Sequence, residues 1–200
     1  DAPAVLDKIV KYSLKLANHV KYDNVGTWEW IVSRTGEPYL LEVNTRIQVE
    51  NDVSARMSYI KDQHPNLIRE QIRLALGEPI GYSQKDIKFK GASVELRIVA
   101  ENPQRDFAPW IGTITRFDLP QFDWSCVYTH VPNDRPYPIP SEYDPNLALA
   151  LVWGKNMDEA KNRARQFIEQ AVSEGQDSSG GNILTNLDYL LNHLDLLLTF

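Results

Sequence analysis

Two short runs of alternating residues, 27–33 and 39–44, lie on either side of the segment RTGEP at 34–38. Glycine and proline favour chain reversals, so the pattern predicts a β-hairpin. If the two strands pair symmetrically about the turn, Glu29 lies opposite Glu42. A slip of one residue would bury both acids, so the alternation restricts the register closely.

The predicted register gives the hairpin a polar face and an apolar face. Thr27 and Asn44 join the two acids on one side, and the other side carries residues that suit a core: Trp28, Trp30, Val32, Tyr39, Leu41 and Val43. Two carboxylates with Cβ atoms roughly 5 Å apart repel each other unless one is protonated or a cation lies between them. Mg²⁺ prefers such oxygen ligands, and Asn44 offers another, so the face is a candidate metal–nucleotide platform. A solvated strand face with water between the acids is compatible with the same spacing.

The following segment continues the alternation and predicts one row of side chains, Asn44, Arg46, Gln48 and Glu50. A guanidinium fork suits a small planar oxyanion, an amide adds a donor, and a carboxylate accepts a proton. The row is therefore suited to binding and activating bicarbonate. A charged edge strand would show the same alternation.

The rest of the chain predicts an α+β fold in two pieces that meet near residue 90. Helices are predicted over 3–20, from about 64 to 76, after Asn156 and from about Asn186, and antiparallel strands near 93–98, 113–118 and 126–130. In the third helix Asn156 and Glu159 have the spacing of a capping box, and the expected buried face is Ala160, Ala164, Phe167, Ile168 and Ala171. A proline-rich connection at 132–145 and a Gly/Ser-rich loop at 175–181 are expected to be irregular.

Composition excludes several classes of partner. The net charge of −6 argues against a general nucleic-acid or anionic-membrane surface. No apolar run reaches the roughly 18 residues that a membrane span needs. The single cysteine, Cys126, fits a reducing compartment, and a cytoplasmic protein is expected. The sequence starts without methionine and runs almost directly into an amphipathic stretch, so a fragment of a longer chain is expected.

The segments GTWEW at 26–30 and LEVNTRIQVE at 41–50 resemble the biotin carboxylase signature of the ATP-grasp superfamily. Further matches follow in order and cover nearly the whole chain: ELRIVAE at 95–101, GTIT at 112–115, YDP at 143–145 and ILTN at 183–186. The resemblance implies the end of an ATP-grasp domain over 1–90, with an antiparallel sheet flanked by helices. It implies a small α+β biotin carboxylase C-terminal domain over 91–200.

The resemblance also implies residue roles. Glu29, Glu42 and Asn44 would hold Mg²⁺ or Mn²⁺ between the phosphates of ATP. Arg46, Gln48 and the backbone of Val49 would bind bicarbonate, Glu50 would be its general base, Arg97 would steady the enolate of biotin, and Ile31 and Ile183 would touch the nucleotide. Taken alone, Arg97 is better explained by an ion pair with Glu95 or Glu101 than by a catalytic role. We expect Arg97 to share a cleft with Arg46, within about 15 Å, the size of a catalytic cleft.

The implied activity is that of a carbon–nitrogen ligase, which uses ATP and bicarbonate to carboxylate biotin on a carrier protein through carboxyphosphate. The implied partners are a biotin carboxyl carrier, a carboxyltransferase and a second copy in a homodimer. The alternatives are another ATP-grasp carboxylate ligase, for which Arg97 need not matter, and a catalytically silent interaction module. The family's preceding half, with its glycine-rich lid, has no counterpart in this sequence, so the isolated chain is expected to be inactive.

The sequence departs from the family pattern at one edge of the site. Asn51-Asp52 and Ser54-Ala55 stand where the family has His-Pro and Thr-Glu, and a few extra residues occupy 61–66. Asn146 and Leu149 replace a Met and a Lys, which removes a positive charge.

Overall fold

The computed structural model describes residues 2–183 and 185–197, and the chain forms two compact units, Asp1–Lys88 and Phe89–Phe200. Both units combine helices with antiparallel strands, which confirms the predicted α+β class. Within the described ranges, no helix has the length and apolar character that crossing a bilayer requires.

The first unit is built around a hairpin between helices. Its elements in chain order are helix α1 (Ala2–Val20), strands β1 (Thr27–Val32) and β2 (Pro38–Asn44), helix α2 (Asn51–Met57), strand β3 (Ser58–Ile60), helix α3 (Leu67–Ala75), a 3₁₀ turn (Gln84–Asp86) and strand β4 (Ile87–Phe89), which reaches the division between the units.

Lys8 on α1 donates to Glu37 in the hairpin turn at 2.6 Å. That hydrogen bond lowers the pKa of Glu37, so the contact weakens as the pH falls through the lowered value.

Helix α3 ends where the sequence predicts and begins at Leu67, three residues after the expected start. The Asn66 side chain accepts from the backbone N–H of Arg69 and caps the first turn. Gly77 follows the helix with a φ of +81°, the left-handed conformation that commonly ends a helix. Three apolar residues of this segment, Ile68, Ile72 and Leu76, are all more than half exposed in the described chain. Their spacing of four residues makes them an exposed apolar strip on one face of the helix.

The second unit contains most of the strands. Its elements are strands β5 (Ala92–Val99) and β6 (Glu101–Asn102), a 3₁₀ turn (Pro103–Arg105), strands β7 (Ala108–Pro109), β8 (Gly112–Asp118), β9 (Ser125–Thr129), β10 (Tyr137–Pro138) and β11 (Asn146–Gly154), helix α4 (Met157–Gln170), strand β12 (Val172–Asp177) and helix α5 (Leu187–Leu197). One sheet has the order β5-β11-β9 and another the order β10-β8-β12, and every pair in them is antiparallel.

Helix α4 supplies the centre of the core in this unit. Asn156 caps it by accepting from the Glu159 N–H at 2.9 Å, as predicted, while the Glu159 carboxylate accepts from the Lys155 N–H. Its predicted apolar face is confirmed at Ala160, Ala164, Phe167 and Ile168, which are buried, whereas Ala171 follows the end of the helix and is half-buried. The helix packs against β11 and β5, and these contacts hold the sheet that carries Arg97.

Five strands of this unit were not predicted: the two-residue strands β6, β7 and β10, and the longer strands β11 and β12. Strand β11, NLALALVWG, is the central strand of its sheet and is buried on both faces, so it shows an apolar run and no clear alternation. Strand β12 contains Gly175, which the sequence assigned to a loop. A side chain at this position would push its Cβ into the Thr113 carbonyl oxygen, so glycine here permits the close approach of β8.

Replacing Gly175 by Ala is expected to destabilise the 200-residue chain by about 1–3 kcal/mol, because the added methyl group overpacks the β8–β12 pair. The measurement is the free energy of unfolding in urea. The matched control is Ser178→Ala in the exposed loop that follows, which should change it little. Equal unfolding midpoints for the two variants would contradict the packing explanation.

Candidate active site

The hairpin register at the acid pair is as predicted. Thr27 pairs with Asn44, and Glu29 pairs with Glu42, so both carboxylates and the amide lie on one face of the two strands. The turn is closed by Gly36, whose N–H donates to the Ser33 carbonyl and whose φ is +78°. That left-handed conformation suits glycine and explains why the reversal falls here.

The rest of the apolar face differs from the prediction. A β-bulge between Glu29 and Trp30 shifts the register, so that Trp30 lies opposite Leu40 and leaves Leu41 as the extra residue. Leu41 and Tyr39 are more than half exposed, and Val32 is exposed as well. The predicted core set therefore reduces to the half-buried residues nearest the acid pair, Trp28, Trp30 and Val43.

The two facing acids are joined by an amide. Nδ2 of Asn44 donates to Oε1 of Glu29 at 2.9 Å and to Oε1 of Glu42 at 3.0 Å. Nε2 of Gln48 also reaches Oε1 of Glu29, at 3.4 Å. Amide donors thus offset the repulsion that the register imposes on two like charges.

This arrangement fits a divalent cation. Two carboxylate oxygens converge on one atom, Nδ2 of Asn44, and rotating that amide by half a turn presents its oxygen to the same place. In the described part of the chain, no group of three or more His, Cys, Asp or Glu side chains is placed to hold a metal. A cation at Glu29 and Glu42 therefore depends on the amide oxygen and on oxygens from a ligand.

The segment after Asn44 does not continue as a strand. The chain bends at 45–46 and turns at 49–50 before α2 begins, so the predicted row of side chains and the alternative of an edge strand are both wrong. Asn51 closes this turn, since its backbone N–H and its Nδ2 both donate to the Gln48 carbonyl, at 3.2 and 2.9 Å. The alternation of polar and apolar residues in this segment is typical of a strand, but the hydrogen bonds of Asn51 hold the segment in a turn.

Because of the bend, the predicted bicarbonate residues do not share one environment. Gln48 turns back toward Glu29, while Arg46 is exposed and donates to the Ile47 carbonyl at 3.3 Å. Val49 and Glu50 are exposed at the turn, and Glu50 immediately precedes α2. The structure thus joins Gln48 to the acid pair and sets Arg46, Val49 and Glu50 on the exposed part of the same short segment.

A cavity of about 360 Å³ lies at this segment. Gly26, Thr27, Gln48 and Asn51 contribute to its lining, together with apolar residues such as Trp28 and Leu67. Sequence reasoning treated Asn51 only as a departure from the family pattern. Its position one residue before an acidic residue, Asn-Asp, is a turn and helix-start signal that could have identified it.

Arg97 lies in the second unit, on β5, directly opposite Leu149 of β11. Its guanidinium is half exposed and lies 3.9 Å from the Glu95 carboxylate, so the predicted alternative of an ion pair with Glu95 is present in a long form. Arg46 and Arg97 belong to different units, and their sharing one cleft stays a prediction.

The two isoleucines expected at the nucleotide have opposite environments. Ile31 is more than half exposed on β1. Ile183 is only 3% exposed and belongs to the core cluster of the second unit, where it also lines a cavity of about 380 Å³.

Comparison with known proteins accounts for most of the chain. Residues 3–82 match the family model "Carbamoyl-phosphate synthase L chain, ATP binding domain", and residues 95–193 match "Biotin carboxylase C-terminal domain". Biotin carboxylase 2 of Bacillus subtilis is 35% identical over 184 residues, which are 92% of this chain and 38% of that protein. Biotin carboxylase of a Nostoc species is 32% identical over 187 residues, 92% of this chain and 40% of that protein.

The fold agrees with a solved structure of the same kind. The biotin carboxylase domain dimer of the Hydrogenobacter thermophilus 2-oxoglutarate carboxylase, in complex with MgADP, ADP and bicarbonate, gives a TM-score of 0.83 at 32% identity. The match covers 97% of this chain and 41% of that one, so the chain spans well under half the length of these relatives. The two family models, the relatives and the shared fold together show that this chain belongs to the biotin carboxylase family.

Proposed function

We propose that this chain provides the metal-holding and bicarbonate-activating part of a ligase that uses ATP to carboxylate biotin. The observation that carries the proposal is the convergence of Glu29 and Glu42 on the amide of Asn44, with Gln48 reaching the same carboxylate as Asn44. A solvated strand face would not need two amide side chains directed at one acid. The relatives named as biotin carboxylases support the reaction class.

In this proposal Glu29, Glu42 and Asn44 hold Mg²⁺ or Mn²⁺ beside the phosphates of ATP. The cation would neutralise phosphate charge and offset the repulsion between the two facing carboxylates. The ATP-binding family model over 3–82 and the MgADP in the related structure support this assignment. Ile31 is exposed enough to meet a nucleotide, whereas the burial of Ile183 fits packing, and both nucleotide contacts stay predictions.

Bicarbonate is assigned to the segment between β2 and α2. Arg46 would offer a guanidinium fork, and Gln48 and the N–H of Val49 would add donors. Glu50, an exposed carboxylate at the turn, would accept the proton of bicarbonate while a bicarbonate oxygen attacks the γ-phosphorus and the bond to ADP breaks. The product of that step would be carboxyphosphate.

Arg97 is assigned to the second step, in which the C–O bond of carboxyphosphate would break to give carbon dioxide and phosphate. The phosphate would accept the proton of the ureido nitrogen of biotin, and that nitrogen would bond to carbon dioxide. The enolate of biotin carries negative charge on oxygen, and a guanidinium stabilises it without uncertainty about protonation. The half-exposed guanidinium and its long contact with Glu95 leave donors for such a ligand.

The partners follow from the same reaction. A biotin carboxyl carrier would present biotin, a carboxyltransferase would pass the carboxyl group on, and a second copy would form a dimer like that of the related domain. The single cysteine, Cys126, fits a reducing compartment such as the cytoplasm.

The first test concerns the proton. In the full-length protein that carries this chain, Glu50→Gln is expected to lower biotin carboxylation by about 10²–10⁴-fold, because the amide keeps the shape but cannot accept the proton. ATP cleavage and biotin carboxylation are measured side by side. Glu142→Gln, an exposed acid of the second unit, is the control and should have normal activity. Near-normal carboxylation by the Glu50→Gln protein would exclude the assigned base.

The second test concerns the cation. Asn44→Ala removes the amide between the two acids and is expected to raise the Mg²⁺ concentration for half-maximal ATP cleavage by roughly 10–100-fold, as for other residues that support a metal. Gln121→Ala, which removes an exposed amide in the second unit, is the control. An unchanged Mg²⁺ dependence in the Asn44→Ala protein would remove this residue from the metal site.

A further inference from the structure

The asparagine that precedes α5 has an unusual environment for a polar residue. Asn186 is only 8% exposed, and its amide is directed at the backbone of β5. The amide is therefore part of the interior of the second unit, where polar groups need hydrogen-bond partners.

Strand β5 needs such partners because it lies at the edge of its sheet. In the order β5-β11-β9, which covers the described strands, it pairs with β11 on one side only. Residue 100, just after β5, donates its N–H to the carbonyl of Pro145 on the side of β11. Because backbone groups alternate along a strand, those of Arg97 and Val99 are directed to the open side.

Asn186 occupies that open side in place of a further strand. Its Oδ1 accepts from the Val99 N–H at 2.9 Å, and its Nδ2 donates to the Arg97 carbonyl at 2.9 Å. Its own backbone N–H donates to the Val99 carbonyl at 3.2 Å. Asn186 thus pairs with three of the four backbone groups that Arg97 and Val99 direct to the open side of β5, as a neighbouring strand would.

This contact bears on the direction of the Arg97 side chain. The guanidinium has only the 3.9 Å contact with Glu95 among the ion pairs of the described residues, and Leu149 opposite it carries no charge. Such a long contact at a half-exposed side chain holds it weakly. The position of the guanidinium therefore depends mainly on where the backbone holds the Cα atom of Arg97.

We propose that Asn186 is a positioning residue for Arg97: its amide fixes the Arg97–Val99 segment at the open edge of β5 and with it the placement of the guanidinium. The inference rests on the role of Arg97 given under the proposed function. The backbone carbonyl of Asn186 also accepts from the Leu190 N–H at 2.9 Å, so the same residue ties the first turn of α5 to this segment.

The test compares two buried asparagines in the full-length protein. Asn186→Asp keeps the acceptor for Val99 and loses the donor to Arg97, placing two oxygens against each other. The side chain of Asn102, which is 6% exposed, uses only an acceptor in the described contacts, toward the Gln104 N–H. Asn102→Asp keeps that acceptor, so it controls for burying an acid in the same unit.

The expected result is a selective loss. Asn186→Asp should lower carboxylation of free biotin by about 10–100-fold, the effect of a displacement on the order of 1 Å, and change bicarbonate-dependent ATP cleavage less than about threefold. Asn102→Asp should not separate the two activities. If Asn186→Asp does not fold, Asn186→Gln, which moves the same amide by one methylene, takes its place in the comparison. Equal losses of both activities in the folded variant would overturn the proposal.

A double-mutant cycle distinguishes positioning from general stability. If Asn186 acts through Arg97, Asn186→Asp should cause no further loss of carboxylation in a protein that already carries Arg97→Ala. Independent, multiplying losses would overturn the positioning role while leaving that of Arg97 intact. A normal ratio of carboxylation to ATP cleavage in Arg97→Ala alone would instead contradict the proposed function of Arg97.

Discussion

The repulsion between Glu29 and Glu42 is the constraint on which the architecture of the candidate site depends. The hairpin register sets the two carboxylates opposite each other, and the bonds from Asn44 make that placement tolerable. The chain beyond β2 then has to bend, because Gln48 returns to Glu29 and Asn51 closes a turn on the Gln48 carbonyl. The exposed position of Glu50 at the start of α2 is a consequence of this bend.

The sequence predicted the structure correctly where a pattern is compatible with only one local conformation. The glycine in the hairpin turn and the alternation around Glu29 predicted a register that the structure confirms at Thr27 and Glu29. The bulge at Leu41 could not be predicted, because Leu40 and Leu41 are both apolar. Either of them could lie opposite Trp30 without changing the apolar pattern. The bend after Asn44 was missed for a related reason: alternation over a few residues is common to strands and to turns with mixed exposure.

In the second unit, too, some elements could be predicted from the sequence and others could not. The face of α4 was predictable because a helix with one buried side has a clear period. Strand β11 was not, because a central strand buried on both sides loses its alternation. The hydrogen bonds of Asn186 join it to partners about 90 residues away in the chain, and no local pattern reports such a contact. In both units an asparagine amide joins groups that backbone pairing leaves without partners.

The apolar strip of Ile68, Ile72 and Leu76 on α3 affects how this chain behaves as a solute. Aliphatic side chains aligned on one helix face attract one another between molecules, and this attraction strengthens on warming from low temperature. The net charge of −6 opposes it through long-range repulsion, which added salt screens. Cold, low-salt buffer is thus the medium in which the 200-residue chain should remain monodisperse, while warmth and salt together favour its self-association.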